Sequence, residues 1–208
     1  SHRQFDFVNG NTNTLGASLI VLGEEDQDRA GTTVNGAGDF NGDGSNDILV
    51  GAPYHDVSGA NEGAVYVVSG TATGIVDLSS SSDVLLKVVG VNTNDYLGRA
   101  VGTAGDLDGD GDFEVLMGAK TADQSGSNSG GSYLFLGGSG SSGTTSISAA
   151  DAIFSGSTSS EELGMSNVTV GDIDANGRPD FLMGAHKYSQ QASNQGGAYL
   201  IFGESFNP

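Results

Sequence analysis

The stretch Asp106-Leu-Asp-Gly-Asp-Gly-Asp-Phe-Glu114 decides the architecture of this chain, because two altered copies of it occur elsewhere. The copies are Asp39-Phe-Asn-Gly-Asp-Gly-Ser-Asn-Asp47 and Asp172-Ile-Asp-Ala-Asn-Gly-Arg-Pro-Asp180. Their first residues lie at positions 39, 106 and 172, so they are 67 and then 66 residues apart. A nearly fixed period of this length indicates a structural unit that the chain repeats three times.

Each copy has the composition of a calcium-binding loop. Calcium takes six to eight oxygen ligands at about 2.3–2.6 Å, and alternate residues of a tight turn can direct their oxygens to one point. Glycine at position 6 of every copy permits the sharp turn. We therefore predict about three calcium ions, one per repeat, held by side chains at positions 1, 3, 5 and 9 and by the carbonyl at position 7. The predicted ligands are Asp39, Asn41, Asp43, Ser45 and Asp47 in the first loop, Asp106, Asp108, Asp110, Asp112 and Glu114 in the second, and Asp172, Asp174, Asn176, Arg178 and Asp180 in the third.

Two other calcium motifs do not fit the pattern. An EF-hand places a bidentate glutamate at position 12, where this chain has Val50, Met117 and Met183, and the flanking residues lack helical periodicity. The nonapeptide β-helix repeat is excluded because the period here is far too long. In the third loop Asn176 replaces a carboxylate and Arg178 precedes a proline, so a polar turn without metal stays open there.

The charge of the chain limits its partners. Seven basic residues against 26 acidic ones give a net charge of −19, which repels nucleic acid and the anionic surface of a membrane. No apolar run approaches the roughly 18 residues that a membrane span needs, so we expect no membrane insertion. The millimolar calcium outside cells suits weak oxygen sites, so we expect an exported protein, extracellular or at the cell surface.

Short apolar segments between Gly, Ser, Asn and Asp indicate an all-β fold with four strands per repeat. Four short strands repeated around an axis are typical of a β-propeller blade. The Ser-rich stretches 79–82 and 139–148 are expected to be loops, and the third repeat lacks its fourth strand. The predicted strands are 31–38, 47–53, 63–69 and 84–89, then 101–105, 114–119, 131–136 and 151–155, then 167–171, 180–185 and 197–202.

The pattern divides the one repeat domain into residues 24–90, 91–156 and 157–208, preceded by an N-terminal strand segment, 1–23. Within this segment Ala17–Gly23 has the character of a fourth strand that could close the third blade, and Phe5–Gly10 that of a third strand. Single rings usually have 4 to 8 blades, so three blades leave two open faces. The chain is therefore a partial propeller, either an arc of a longer ring or half of an inter-chain ring completed by a homodimer.

The approach Tyr96-Leu-Gly-Arg-Ala-Val-Gly-Thr-Ala-Gly-Asp106 and the exit Gly51-Ala-Pro53 resemble FG-GAP repeats, which form the blades of the integrin α-subunit propeller and occur in many bacterial exported proteins. The resemblance covers nearly the whole chain. It implies that calcium loops link the first and second strands of each blade, that ligands engage the opposite end, and that the protein is bacterial. The departures are local: Asp28-Arg-Ala-Gly31 replaces the aromatic-glycine approach, and the second and third repeats lose the exit proline.

By this resemblance the ligand would contact loops 53–63, 120–131 and 185–197, with the turns 24–31, 90–100 and 156–165. These loops share no common motif, so the resemblance does not identify the ligand, and both a protein and a glycan stay open. The candidate contact residues are Tyr54, His55, Asp56, Lys187, Tyr188, Gln190 and Gln191.

The sequence offers no catalytic constellation. Its histidines are His2, His55 and His186, and we expect the last two to be surface side chains. No Gly-x-Ser-x-Gly elbow follows a strand and opens a helix. We therefore predict that the chain is not an enzyme but a calcium-stabilised binding or adhesion module of a larger exported protein. The alternative is an accessory or glycan-binding domain of a secreted hydrolase or lectin.

Overall fold

The computed structural model describes residues 18–190 and 193–203, which form fourteen strands and one short 3-10 turn, Ile147–Ala149. No helix in this part of the chain is long and apolar enough to cross a membrane. The strands are β1 (Leu19–Leu22), β2 (Thr33–Gly38), β3 (Asp47–Ala52), β4 (Ala64–Val68), β5 (Gly74–Asp77), β6 (Val84–Val89), β7 (Leu97–Gly105), β8 (Glu114–Ala119), β9 (Gly131–Phe135), β10 (Gly143–Ser146), β11 (Ala152–Ser155), β12 (Leu163–Gly171), β13 (Asp180–Ala185) and β14 (Gly197–Ile201).

Three sheets repeat one antiparallel pattern, which confirms the predicted all-β fold of partial propeller blades. Blade 1 contains β2, β3, β4 and β6, blade 2 contains β7, β8, β9 and β11, and blade 3 contains β12, β13 and β14. The inner strands β2, β7 and β12 lead into the acidic loops, and the second strands follow them. All acidic loops therefore lie at one end of the blades, and the loops from second to third strands lie at the opposite end.

Two strands form where the sequence predicted only connections. Residues 143–146, inside the Ser-rich stretch 139–148, form β10, which pairs in parallel with β6 and gives blade 1 a fifth strand. Residues 74–77 form β5, which pairs in parallel with β1. The Gly-Thr-Thr-Ser sequence of β10 gives no strand alternation, and β5 has only four residues, so both pairings depend on neighbours distant in the sequence.

The sequence suggested that the N-terminal strand could close blade 3. In the structure this strand, β1, instead pairs with β5 in a two-stranded ribbon. Leu19 and Val21 of this ribbon pack on Val50 and Tyr66 of blade 1. In blade 2 the side chains equivalent to Val50 and Tyr66 pack against blade 1. The ribbon therefore covers part of the face on which a preceding blade would lie, and burial of these apolar side chains fixes it there. The predicted strand Phe5–Gly10 lies outside the described residues.

Neighbouring blades approach so closely that glycine is required between them. A Cβ at Gly51 would lie 2.3 Å from the carbonyl oxygen of Gly98 in blade 2, and the equivalent Cβ at Gly118 would lie 2.1 Å from that of Gly164 in blade 3. Gly98 and Gly164 both have φ of +87°, which favours glycine. The same parallel bridge joins Gly63 to Leu97 and Gly130 to Leu163. The two junctions thus have one geometry.

The apolar core lies between the blades. One cluster joins blades 1 and 2, and a second joins blades 2 and 3. The residue at position 2 points into this core in the first two acidic loops, where Phe40 and Leu107 are fully buried. The equivalent Ile173 is 56 % exposed, because no blade within residues 18–190 and 193–203 covers blade 3. The first two loops are thereby anchored to the blade junctions.

Candidate metal centres and the opposite loop surface

The carboxylate at position 1 organises the first half of every acidic loop. Both of its oxygens accept main-chain N–H groups from later residues of the loop, so its orientation is fixed without a metal. The donors are Asp43 and Gly44 to Asp39 (3.0 and 2.8 Å), Gly109 and Gly111 to Asp106 (2.7 and 3.2 Å), and Asn176 and Gly177 to Asp172 (3.0 and 2.8 Å).

The side chain at position 5 shapes the second half of the loop. Its oxygen accepts the N–H of position 7 in all three copies, and the glycine between them has a positive φ of 88°, 100° and 90° in turn. The residue at position 7 follows this turn, and its carbonyl is the main-chain ligand that the sequence predicted. The pairs are Asp43 with Ser45 (2.9 Å), Asp110 with Asp112 (2.8 Å) and Asn176 with Arg178 (2.8 Å).

The acidic residue at position 9 closes each loop against the core. Asp47, Glu114 and Asp180 are all buried. Each accepts the main-chain N–H of position 2, which comes from Phe40 at 3.1 Å in the first loop and from Ile173 at 2.7 Å in the third. Leu107 makes the same hydrogen bond to Glu114. The carboxylate at position 9 thus links the start of the second strand to the main chain at position 2.

Carboxylates converge in two of the loops. Oxygens of Asp106, Asp108 and Glu114 lie within 4.8 Å of one another, and so do oxygens of Asp172, Asp174 and Asp180. This spacing suits oxygens around one calcium ion, whose ligands lie about 2.3–2.6 Å from the metal. The first loop contains no such group of three among the described carboxylates, because its position 3 is Asn41, whose amide oxygen would be the ligand. The donor set therefore fits a hard cation.

The electrostatics of the loops also favour a cation. Burial, and after it the charges of Asp108 and Asp106, raises the pKa of Glu114 to about 8. Burial likewise raises the pKa of Asp47, although hydrogen bonds from Gly70 and Phe40 oppose the effect. Negative charge on Glu114 and Asp47 is therefore costly unless a cation balances it.

Side chains at position 7 reach the preceding blade. The Arg178 guanidinium donates a hydrogen bond to the carbonyl oxygen of Leu107 at 2.6 Å. The Asp112 carboxylate lies against Gly42, where an added Cβ would be 2.6 Å from its Oδ1 atom. Only the carbonyls of these residues were predicted as ligands, and their side chains link neighbouring loops.

At the opposite end, the three loops between second and third strands also share one backbone shape. Asn61, Asn128 and Asn194 adopt positive φ angles of 56°, 52° and 52°. A side chain five residues earlier accepts the N–H of each asparagine. The acceptors are Asp56 (2.7 Å), Asp123 (2.6 Å) and Ser189 (2.9 Å). Asp56, a predicted ligand contact, therefore has a structural role.

The expectation that His55 is a surface side chain is wrong. His55 is 4 % exposed, and its Nδ1 atom lies 2.7 Å from a carboxylate oxygen of the buried Asp28. The sequence pattern does not predict this burial, because His55 lies in a polar loop between two strands. His186, by contrast, is exposed, as expected.

Three other residues that were predicted to contact the ligand each pair with a neighbouring side chain. Tyr54 stacks under the Arg29 guanidinium, 4.3 Å from the ring centroid, and meets Tyr96 edge to face. Tyr188 packs edge to face on Tyr199. Lys187 forms an ion pair with Glu162. Gln190 is exposed, and Gln191 lies outside the described residues.

A second set of buried acidic residues escaped the sequence analysis. Asp28, Asp95 and Glu161 are all buried, and each lies 11 positions before its acidic loop (28 and 39, 95 and 106, 161 and 172). The residue after each has the same φ of 55°, in Arg29, Tyr96 and Glu162. The departure Asp28-Arg-Ala-Gly31 therefore keeps the backbone of the other repeats. The repeat spacing alone could have found this set.

Comparison with known proteins agrees with this geometry. The FG-GAP repeat family matches residues 30–68 and 97–135, which contain the first three strands of blades 1 and 2. Integrin alpha pat-2 of Caenorhabditis briggsae is 37% identical over 106 residues, 50% of the chain, and that of Caenorhabditis elegans is 36% identical over 110 residues, also 50%. Integrin alpha-2 of Bos taurus is 35% identical over 92 residues, 44% of the chain.

These matches support the predicted FG-GAP repeats of the integrin type. The chain spans only 8% of the length of each of these relatives. The bacterial origin remains a prediction, because the matched integrin chains come from animals.

Proposed function

We propose that the chain is a calcium-stabilised, non-catalytic binding or adhesion module of a larger protein that is exported to the extracellular space or cell surface. The observation that carries this proposal is the convergence of carboxylates in the second and third of the loops that repeat once per blade. The FG-GAP matches and the integrin alpha relatives support a binding role. The ligand would contact the loops at the end opposite the acidic loops.

In this proposal each loop uses its residues in fixed roles. Positions 1, 3, 5 and 9 and the carbonyl of position 7 would hold the ion. Calcium, when bound, supplies positive charge that balances the clustered carboxylates. Position 1 is oriented by main-chain donors, and position 9 transmits the rigidity of the loop to the core through position 2. The metal thus stiffens the blade junctions, not only the loops.

Calcium removal is the test of this function. At free calcium about 100 times Kd, one site stabilises the folded state by about 2.7 kcal/mol. For a chain of this size each kcal/mol corresponds to about 2–4 °C in Tm. We expect chelation to lower the Tm, followed by circular dichroism, by at least about 5 °C, and Asp110→Ala to bring the calcium-loaded Tm toward the apo value.

The matched control is Asp26→Ala, which removes an exposed carboxylate outside the loops. It should leave the calcium response unchanged, and excess calcium should restore the Tm after chelation. An identical melting curve with and without chelator would contradict the proposal.

Blade 3 presents the face that blades 1 and 2 use to receive the next blade. A Cβ at Gly184 would meet only Ser166 of the same sheet, whereas the equivalent Gly51 and Gly118 lie against a neighbouring blade. Ile173 and Val168 on this face are 56 % and 48 % exposed. We propose that a further blade of the same class covers this face in the larger protein.

A homodimeric ring, the other arrangement considered from the sequence, is less favoured. It would need blade 1 of a second copy to cover blade 3. The β1–β5 ribbon already occupies part of that face of blade 1, packing Leu19 and Val21 on Tyr66. Ring closure by a second copy would displace the ribbon and expose these apolar side chains.

A further inference from the structure

Two lysines and a histidine surround one buried carboxylate at the junction of blades 2 and 3, at the end opposite the acidic loops. The Glu162 side chain is only 8 % exposed. Lys187 contacts its Oε1 atom, while His186 Nε2 and Lys120 Nζ lie 3.6 and 3.8 Å from Oε2. Two ammonium groups and an imidazole thus face a single negative charge.

The positive charge exceeds what Glu162 needs. One lysine in contact is enough to balance one carboxylate, and Lys187 provides that contact. The side chains of His186 and Lys187 are nevertheless 47 % and 41 % exposed, so their remaining donors face solvent. This surplus stands out in a chain of net charge −19.

The blade packing does not require this cluster. Tyr96 in blade 2 is the equivalent of Glu162, with the same φ of 55°. The residues equivalent to Lys120 and Lys187 around Tyr96 are Pro53 and Thr121, which carry no charge. The first junction therefore forms without a carboxylate at the position of Glu162, and the ionic cluster is specific to the second.

We propose that Lys120, His186 and Lys187 bind a carboxylate group of a protein partner, supplied by an aspartate or glutamate side chain. This inference rests on the proposed binding function and gives the chemistry of its ligand. An incoming carboxylate would share the ammonium groups with Glu162 through charge-assisted hydrogen bonds. The Tyr96 ring, 5.4 Å from Lys120 Nζ, borders the cluster and offers an apolar surface for the peptide backbone.

The size of the cluster and the charge around it favour a peptide over a polyanion. Polyanions such as sulfated glycans need an extended cationic surface, and a net charge of −19 repels them over a distance. A single carboxylate on a partner without strong negative charge needs only the local cations. The cluster at Glu162 therefore suits a single carboxylate better than a polyanion.

The test is a titration of the calcium-loaded, 15N-labelled protein with acetyl-Gly-Asp-Gly-amide, followed by NMR. Acetyl-Gly-Asn-Gly-amide is the matched probe that lacks the charge. We expect the aspartyl peptide alone to shift the amide signals of Lys120, Thr121, Glu162 and Lys187. Lys120→Gln and Lys187→Gln should each weaken the binding about threefold to fivefold, the effect of losing an exposed charge pair.

Two variants separate binding from structural support. Glu162→Gln removes the internal competitor and should strengthen binding, whereas a purely structural cluster would show no gain. Lys87→Gln alters a lysine of β6 that pairs with Glu24, away from this cluster, and should not change the binding. Lys120→Gln leaves the contact between Lys187 and Glu162 intact, so the test survives if Lys187→Gln does not fold.

Equal shifts from both peptides, or unchanged binding in Lys120→Gln, would overturn the proposal. Larger shifts of the same signals by a sulfated disaccharide would assign the site to a glycan and would also overturn it. The result is separable from the calcium proposal, because melting with and without chelator is measured independently on the same samples.

Discussion

Glu161 shows how one buried carboxylate can hold a turn that sequence patterns do not reveal. It accepts the main-chain N–H groups of Ser157 and Thr158 at 2.7 and 3.0 Å and also a hydrogen bond from the Tyr199 hydroxyl. Burial would raise the pKa of Glu161, but the hydrogen bonds from Tyr199, Ser157 and Thr158 lower it below its ordinary value. The ionised form is therefore the one that stabilises the turn.

Glu161→Gln should destabilise the protein by about 1–3 kcal/mol at neutral pH, because a buried acceptor of several donors is lost. Since the folded-state pKa is lowered, this contribution is present above the unfolded value of about 4.3 and is lost as pH falls through the lower folded value. The difference in Tm between wild type and variant should therefore shrink below about pH 4. The measurement is Tm against pH for both proteins.

Glu25→Gln is the control for this prediction, because the Glu25 side chain is exposed and the residue lies in the equivalent turn of the first repeat. It should follow the wild type at every pH. A difference between wild type and Glu161→Gln that stays constant down to pH 3 would contradict the assigned role.

At the scale of single residues, the sequence predicted the residues of the acidic loops but not the buried polar residues at the opposite end of the blades. The acidic loops were visible because Asp, Asn and Gly recur at fixed positions. The set formed by Asp28, Asp95 and Glu161 varies in residue type, and its side-chain partners differ from repeat to repeat: His55, Asn92 and Tyr199. The burial of His55 likewise depends on Asp28, 27 residues away, which no local pattern encodes.

At the scale of elements, neighbouring acidic loops contact each other through position 7. Burial, and after it the charges of Asp110 and Asp39, raises the pKa of Asp112. The third loop has Arg178 at this position, and its side chain bonds to the second loop instead of repelling it. The contact between the first and second loops is therefore the one that most needs a cation.

Asp112→Asn should stabilise the calcium-free protein, raising its Tm by about 1–2 °C, because it removes one charge from a crowded set. The carbonyl that would serve as the ligand is unchanged, so calcium should still raise the Tm. The gain should be smaller with calcium, which already balances the charges. Circular dichroism melting with and without chelator checks this, with Asp26→Asn as the control, and a lower apo Tm would contradict it.

The sequence predicted the strands in which a run of apolar residues is buried. Segments 47–52 and 114–119 each begin at the last residue of an acidic loop and are otherwise uncharged and rich in apolar residues, and both form second strands. The strand Gly143–Ser146 lacks an apolar alternation, and its partner β6 lies in another repeat. Pairing between repeats is set by tertiary packing, so the sequence predicted the blades but not the strand that links them.

At the scale of the whole molecule, the two ends of the arc are unlike. The ribbon of β1 and β5 packs on blade 1, so that Val76 and Tyr66 are fully buried. Blade 3 instead leaves Ile173 and Val168 exposed. Repeat arrays commonly need capped ends for solubility. One end here is capped by the β1–β5 ribbon, and among the described residues the face of blade 3 is left open, as the proposed further blade requires.

The isolated chain should therefore be a monomer of 20.9 kDa both with and without calcium. Light scattering coupled to size exclusion measures this directly. A calcium-dependent mass twice as large would instead support a ring formed by two copies. Ile173→Asp, with Ile75→Asp as the exposed control on β5, would then show whether blade 3 forms the contact.

The strand β10 has a consequence for how the protein is made. Blade 1 receives its outermost strand from residues 143–146, which the ribosome adds more than fifty residues after β6 ends at Val89. During synthesis, the edge of β6 stays open until most of the second repeat has emerged, and open edges invite wrong pairing. Truncating the gene between the first two repeats would leave that edge permanently bare. The units of the repeat are therefore not units that can be produced separately.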